Sequence, residues 1–186
     1  WLVDRYRPDQ LWYVDDVFTI HPGFVRALAD EMQRRSLRVP FACISRADRL
    51  DEDTADALAR LGCRRLGIGS ESGSQGVLDA MDRRVTVEQV QRATRLLQAR
   101  GIQVGMFIML GYDGEEPADL RATVDHLKVS SPDVFLTTVA YPIKGTPYHR
   151  DLQPRLRSDL PREERTDRDV TVSGRRTPLF YRFERQ

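Results

Sequence analysis

Residues 101–116 read GIQVGMFIMLGYDGEE, and this stretch sets the fold class. Val104 to Leu110 is a near-continuous apolar run bounded by glycines. A strand buried on both faces has this composition, and such strands belong to parallel sheets covered by helices. A helix pattern closes at Gly101, and another opens at Glu116 and Pro117. Gly111-Tyr112-Asp113-Gly114-Glu115 is therefore a short strand-to-helix loop at the carboxyl end of a buried strand. Ligands sit at that end in α/β barrels and open parallel sheets.

Working outward, the same unit recurs. Trp1 to Tyr6 reads as the end of a helix. Leu11-Trp12-Tyr13-Val14 is a strand delivering Asp15-Asp16, followed by a helix with Pro22 in its first turn and Val25, Leu28, Ala29 and Met32 inward. Strand Phe41–Ile44 delivers Ser45-Arg46. Asp51 caps the next helix, Leu58 and Leu61 face inward, and Gly62 ends it. A strand over Arg65–Gly69 delivers Ser70-Glu71-Ser72-Gly73-Ser74, and a brief helix surrounds Val77 and Leu78. Thr86 and Gln89 form a capping box for a helix carrying Val90, Ala93 and Leu97. After the opening stretch come a helix with Leu120, Val124 and Leu127 inward, then a strand over Val134–Ala140 delivering Tyr141-Pro142. Five strands alternating with helices predict a parallel α/β sheet or barrel, because parallel neighbours need crossovers.

The 186 residues suffice for one core, assigned here to 1–152. Residues 153–186 read as a charged, solvated linker leading to the aromatic cluster Leu179, Phe180, Tyr181 and Phe183, which predicts the start of a further helix. With 29 basic against 28 acidic residues, no global field argues for nucleic acid. The arginines of 155–176 are interleaved with Asp and Glu, which favours a solvated segment over an RNA-binding one. No apolar run is long enough to span a membrane, and the two cysteines lack metal-type spacing, so a reducing, cytoplasmic setting is expected. Cys43 and Cys63 read as small buried apolar residues, and His126 as a polar-face helix residue.

Each strand end carries its own candidate chemistry. Asp15 and Asp16 suit an ammonium group or a cation, or a turn with a helix cap. Ser45-Arg46 suits a carboxylate or a ribose, or a surface ion pair. Glu71 has two acceptor oxygens for paired sugar hydroxyls, and otherwise a capping role. The glycines from Gly105 to Gly114 fit neither a dinucleotide fingerprint nor a P-loop, and instead form a flat backbone edge for an adenine-like ring. Tyr141-Pro142 offers a second such edge, or only a rigid loop.

Together, LWYVDDVFTI, PFACISRADR, GSESGSQGVLDAMDRRVT, GIQVGMFIMLGYDGEE and TVAYPIKGTPYH, in this order and spacing, resemble the radical SAM enzymes that carry an N-terminal cobalamin-binding domain. The likeness covers roughly Trp1 to His149. It implies a partial TIM-like (β/α)6 barrel of which this chain holds the last five strands. It also implies S-adenosylmethionine as cofactor, cleaved reductively to a 5′-deoxyadenosyl radical, with a small-molecule substrate, an electron donor and, through cobalamin, methylation of an unactivated carbon. By the same likeness, Asp15 and Asp16 meet the methionine amino group, and Glu71 and Ser72 the ribose. Gly105, Ile108, Gly111, Glu115, Tyr141 and Pro142 shape the adenine site, while Ser45 and Arg46 match weaker polar contacts. The chain departs from the family in having Asp113 where members often have proline, and in lacking the C-x-x-x-C-x-x-C loop that holds the 4Fe-4S cluster. The expectation is a fragment whose cluster loop and cobalamin domain lie upstream, inactive by itself. The rival reading is a non-redox nucleoside-binding module on a degenerate barrel.

Overall fold

The computed structural model describes residues 1–161, 163–164 and 166–176. Strands β1 (Leu11–Trp12), β2 (Phe41–Ser45), β3 (Cys63–Glu71), β4 (Gln103–Leu110) and β5 (Val134–Val139) form one sheet in the order 1-2-3-4-5, every neighbour parallel. Sequential order with crossovers of one hand carries the helices to one face. That curls the sheet into part of a barrel instead of an open sheet covered on both sides. The helices are α1 (Leu2–Tyr6), α2 (Pro22–Arg34), α3 (Glu52–Leu61), α4 (Gln75–Ala80), α5 (Val87–Gln98), α6 (Pro117–Ser130) and α7 (Pro147–Leu152). The fold is the expected α/β one, a five-strand half-barrel.

Helix starts follow from local chemistry. Asp51 accepts from the Thr54 amide at 2.8 Å to cap α3, and Gly62 ends it at φ 98°. The Thr86–Gln89 capping box of α5 is present, with both reciprocal bonds. The core lies between sheet and helices. Phe41 and Cys43, Leu66 and Ile68, and Val104, Met106 and Ile108 meet Val25, Ala55, Leu58, Leu61, Val90 and Leu97 from the helices. Each such buried aliphatic or aromatic side chain contributes about 1.5–3 kcal/mol, which makes this layer the main source of stability.

Several expectations are corrected. β1 ends at Trp12, although the Tyr13 amide still donates to Ala42 O at 3.0 Å. β3 runs on to Glu71, so Ser70 and Glu71 are strand residues. On α6, Val124 is not inward but 42 % exposed, whereas His126 is not on the polar face but only 3 % exposed. The reason is that the inward face of α6 is polar: Thr123, His126 and Ser130 turn toward the serines of β3 and its loop. Cys43 and Cys63 are free and buried as expected. Beyond α7, Leu156–Arg157 (β6) pairs antiparallel with Thr171–Val172 (β7). The predicted helix start at Leu179–Phe183 lies outside the described residues.

Candidate functional site

Parallel strands in sequential order bring all five strand ends to one rim. Strand alternation then sorts side chains between two faces. Leu66, Ile68 and Ser70 point to the helices, so Arg65, Gly67, Gly69 and Glu71 point to the inner face. Cross-strand register extends that face through Ile44, Gly67, Gly105 and Val134. Its remaining lining is mostly apolar and open, with Trp12 67 % and Leu136 62 % exposed.

Three inner-face glycines have different occupants. A β-carbon on Gly67 would stand 2.8 Å from the Phe107 ring, which lies over it. One on Gly69 would meet Arg83 Nη2 at 3.0 Å and Glu71 Oε1 at 3.1 Å. On Gly105 it would meet nothing closer than Val134 Cγ1 at 3.4 Å, with Gly67 Cα next at 3.9 Å. Gly67 and Gly69 thus make room for the protein's own side chains. Gly105 alone of the three presents bare backbone to whatever lies on the surface.

Over Gly69 sits an ion pair that sequence reading missed. Arg83 Nη2 is 2.9 Å from Glu71 Oε1. The main-chain O of Arg83 accepts from Arg46 Nη2 at 3.0 Å, and Arg46 is itself held by Asp48 at 2.8 Å. Arg83 Nε is buried without a partner among the described residues. Burial pushes the Glu71 carboxyl above its ordinary range, against the pull of Arg83. The backbone is unusual here too. Among the described residues six non-glycine ones have positive φ, and Glu71, Asp82 and Arg84 are three of them, so the pair is formed from a strained strand end and a strained turn. Left-handed backbone costs an L-residue about 1–2 kcal/mol and gathers where geometry matters. Arg83 lies inside the quoted stretch GSESGSQGVLDAMDRRVT, and the positively charged turn twelve residues past Glu71 was the available signal.

The other predicted residues divide. Asp15 and Asp16 are exposed at the rim after β1. Ser45 is buried and bonds to the Thr19 hydroxyl. Ser72 turns away from the rim, its hydroxyl 3.1 Å from Thr123 Oγ1 on α6. Gly73 packs so tightly on α6 that a β-carbon would lie 2.4 Å from Ala122 O. Ile108 belongs to the helix-facing layer, and its neighbours Phe107 and Met109 take the inner face.

In the loop after β4, Gly111 has φ 74° and its amide donates to Glu115 Oε2. Glu115 is 8 % exposed, its Oε1 has no partner among the described residues, and burial raises its pKa while the Gly111 bond opposes. Tyr112 stacks on Tyr148 of α7 at 4.5 Å between ring centroids. After β5, Pro142 is buried, and Tyr141 lies under the Arg168 guanidinium, 5.6 Å from its ring centroid. Arg155 and Asp113, 2.9 Å apart, tie β6–β7 to this rim.

Cluster ligation does not fit the residues present. Cys43 and Cys63 lie in the helix-facing core, and contact with Cys63 together with burial pushes the Cys43 thiol up. Among the described residues, no group of three His, Cys, Asp or Glu could hold a metal ion.

The family model for the Radical SAM superfamily matches residues 2–127. The uncharacterized methyltransferase PH0819 of Pyrococcus horikoshii is 25 % identical over 143 residues, covering 76 % of this chain and 31 % of that protein. The bacteriochlorophyllide d C-12(1)-methyltransferase of Chlorobaculum tepidum is 23 % identical over 146 residues, covering 78 % and 32 %. The chain thus spans under a third of the length of these curated relatives. Among solved structures, the radical S-adenosylmethionine methyltransferase TsrM of Kitasatospora setae, solved with cobalamin and a [4Fe-4S] cluster, superposes with TM-score 0.72 at 21 % identity, covering 86 % of this chain and 35 % of that one. That likeness concerns the fold. With the family model spanning most of the half-barrel, the chain belongs to the radical SAM superfamily.

Proposed function

We propose that this chain is the S-adenosylmethionine-binding part of a radical SAM enzyme, and that the whole protein is a cobalamin-dependent methyltransferase acting on an unactivated carbon. The family membership, the methyltransferases among its relatives and the cobalamin-bound fold neighbour support this reading. The observation that carries it is the Glu71–Arg83 pair, laid across Gly69 beside the bare backbone of Gly105 and built from strained backbone.

When bound, S-adenosylmethionine is the source of a 5′-deoxyadenosyl radical. The chain's own residues do the holding. Arg83 offers a guanidinium to a carboxylate, for which its fork of donors is suited. Asp15 and Asp16 offer acceptors to an ammonium group. Glu71, which carries two oxygens, accepts from ribose hydroxyls. Gly105 admits a flat ring against backbone, and Phe107 and Met109 exclude water beside it. The cluster's ligands are assigned to other parts of the whole protein, since Cys43 and Cys63 face the helices.

Two measurements test this. Calorimetric titration of the 186-residue chain with S-adenosylmethionine should show binding that Arg83→Ala weakens about tenfold or more. The full-length protein, reconstituted anaerobically with iron and sulfide and reduced, should release 5′-deoxyadenosine, while the 186-residue chain alone should not. Unchanged binding in Arg83→Ala removes the site. Binding without 5′-deoxyadenosine from the full-length protein leaves the rival reading, a non-redox nucleoside-binding module.

A further inference from the structure

A polar pocket of about 520 Å³ opens at the rim between the β4–α6 loop and the turn that follows β7. Asp113, Glu115 and Glu116 come to it from the loop, and Arg155, Arg175 and Arg176 from the segments flanking β6 and β7. Local chemistry sets the arginines there. Arg155 donates through Nε to Ser173 O at 3.0 Å and through Nη1 to Asp113 at 2.9 Å. Its Nη2 lies against Gly174, where a β-carbon would stand 3.5 Å away. Gly174 has φ 84°, a turn conformation that carries Arg175 and Arg176 round beside Arg155.

Pairing uses only part of this charge. Asp113 and Glu116 answer Arg155 and Arg176, at 2.9 and 3.6 Å. Arg175 gives Nη2 to the neutral carbonyl of Ala140 at 3.1 Å and forms no ion pair among the described residues. The third carboxylate, Glu115, takes the Gly111 amide on Oε2, while Oε1 is buried with no donor among the described residues. A guanidinium resting on a neutral carbonyl and a carboxylate oxygen without a donor thus belong to one pocket. They define what it lacks: acceptor oxygens for the arginines, and one hydrogen for Glu115. A carboxylate ion brings the acceptors and no hydrogen. A phosphate that keeps one proton brings both, and guanidinium forks suit its oxygens.

We propose that this pocket binds the phosphate group of a small molecule. Arg155, Arg175 and Arg176 donate to its unprotonated oxygens, and its O–H donates to Glu115 Oε1. The volume is in the range of small-molecule sites. None of the lining residues belongs to β3 or to the turn between α4 and α5, so the pocket is separate from the Glu71–Arg83 pair.

Calorimetric titration of the 186-residue chain with inorganic phosphate, and separately with sulfate, tests this at neutral pH. The two ions are alike in shape, but only phosphate carries a proton there. Phosphate should bind about tenfold more tightly than sulfate. Glu115→Gln, which keeps an acceptor for the Gly111 amide, should erase that preference. Arg175→Gln and Arg176→Gln should each weaken phosphate about tenfold. Arg176→Gln gives up only a partly exposed ion pair, so its fold should be that of the parent chain. Arg168→Gln, between β6 and β7 but outside the pocket, should change nothing. Arg83→Ala should leave phosphate binding as it is, so this proposal and the S-adenosylmethionine reading fail separately. Absence of phosphate binding, binding untouched by the two pocket-arginine variants, or its loss in Arg83→Ala overturns the proposal. Sulfate held as tightly as phosphate also overturns it, and reduces the arginines to a surface for an adventitious ion only.

Discussion

The loop after β3 and the loop after β4 carry the same kinds of residue and point them in opposite directions. In the first, the hydroxyls of Ser70, Ser72 and Ser74 turn outward to His126, Thr123 and Asp119 of α6, and Glu71 turns inward over Gly69. In the second, Glu115 turns back and holds the amide of Gly111 within its own loop. One carboxylate is left on the inner face, mostly buried, with a cation beside it. The other is consumed in shaping a turn. Residue type at a strand end therefore does not assign role; the partner each side chain finds does.

The sharpest break of this contrast is Gly73→Ala. The added methyl would lie 2.4 Å from Ala122 O, 2.6 Å from Thr123 Cα and 2.6 Å from His126 Cβ, mostly backbone that cannot swing aside. A loss of about 3 kcal/mol or more in urea unfolding is expected, with α6 displaced. Glu115→Ala comes next, at about 1–3 kcal/mol, because the buried Gly111 amide loses its acceptor. Binding of S-adenosylmethionine, measured below the unfolding transition, should change little. Glu71→Gly should do the reverse. It relieves a positive φ of 61° while removing the carboxylate, so melting temperature should hold or rise while affinity falls about tenfold. A fall in both would make Glu71 as structural as Glu115. Gly105→Ala separates the two further: 3.4 Å to Val134 is ordinary contact, so stability should hold and only ligand approach should suffer.

The smallest expected effect is on pH dependence. Burial holds the His126 pKa below its ordinary value, so the unfolded chain binds the proton more readily. Stability from neutral His126 is present above about pH 6.5 and is lost as pH falls through the depressed folded value. For Glu115 the sign reverses. Its raised carboxyl holds a proton more tightly in the folded than in the unfolded chain, so that contribution is present below about pH 4.5 and fades as pH rises through the folded value. His126→Gln should flatten the acid limb of a stability–pH curve, and Glu115→Gln the opposite one.

Elements and their order were legible because burial writes period into sequence. The apolar runs of β2 to β4 and the stripe Val90, Ala93 and Leu97 each record one covered face. What period could not record was a polar interface. His126 reads as solvent-facing because its inward neighbours, Thr123 and Ser130, are polar as well. Only the serines at the end of β3 explain why that face is buried. Val124 misleads in the other direction, since an apolar residue at helical spacing with Leu120 and Leu127 looks like core although it stands 42 % exposed. At the site, alternation within a strand decides direction. Ile108 lies with the helices and Met109 with the inner face, a one-residue difference that motif spacing alone does not resolve. Arg83 escaped notice because its partner is twelve residues away across a strained turn.

Arg46 follows β2, Glu71 ends β3 and Arg83 lies in the turn between α4 and α5, yet they are linked end to end through a side-chain grip on a main-chain oxygen. The turn that carries Arg83 is therefore pinned from two sides, by Arg46 on its main chain and by Glu71 on its side chain, so three stretches of the rim share one anchorage.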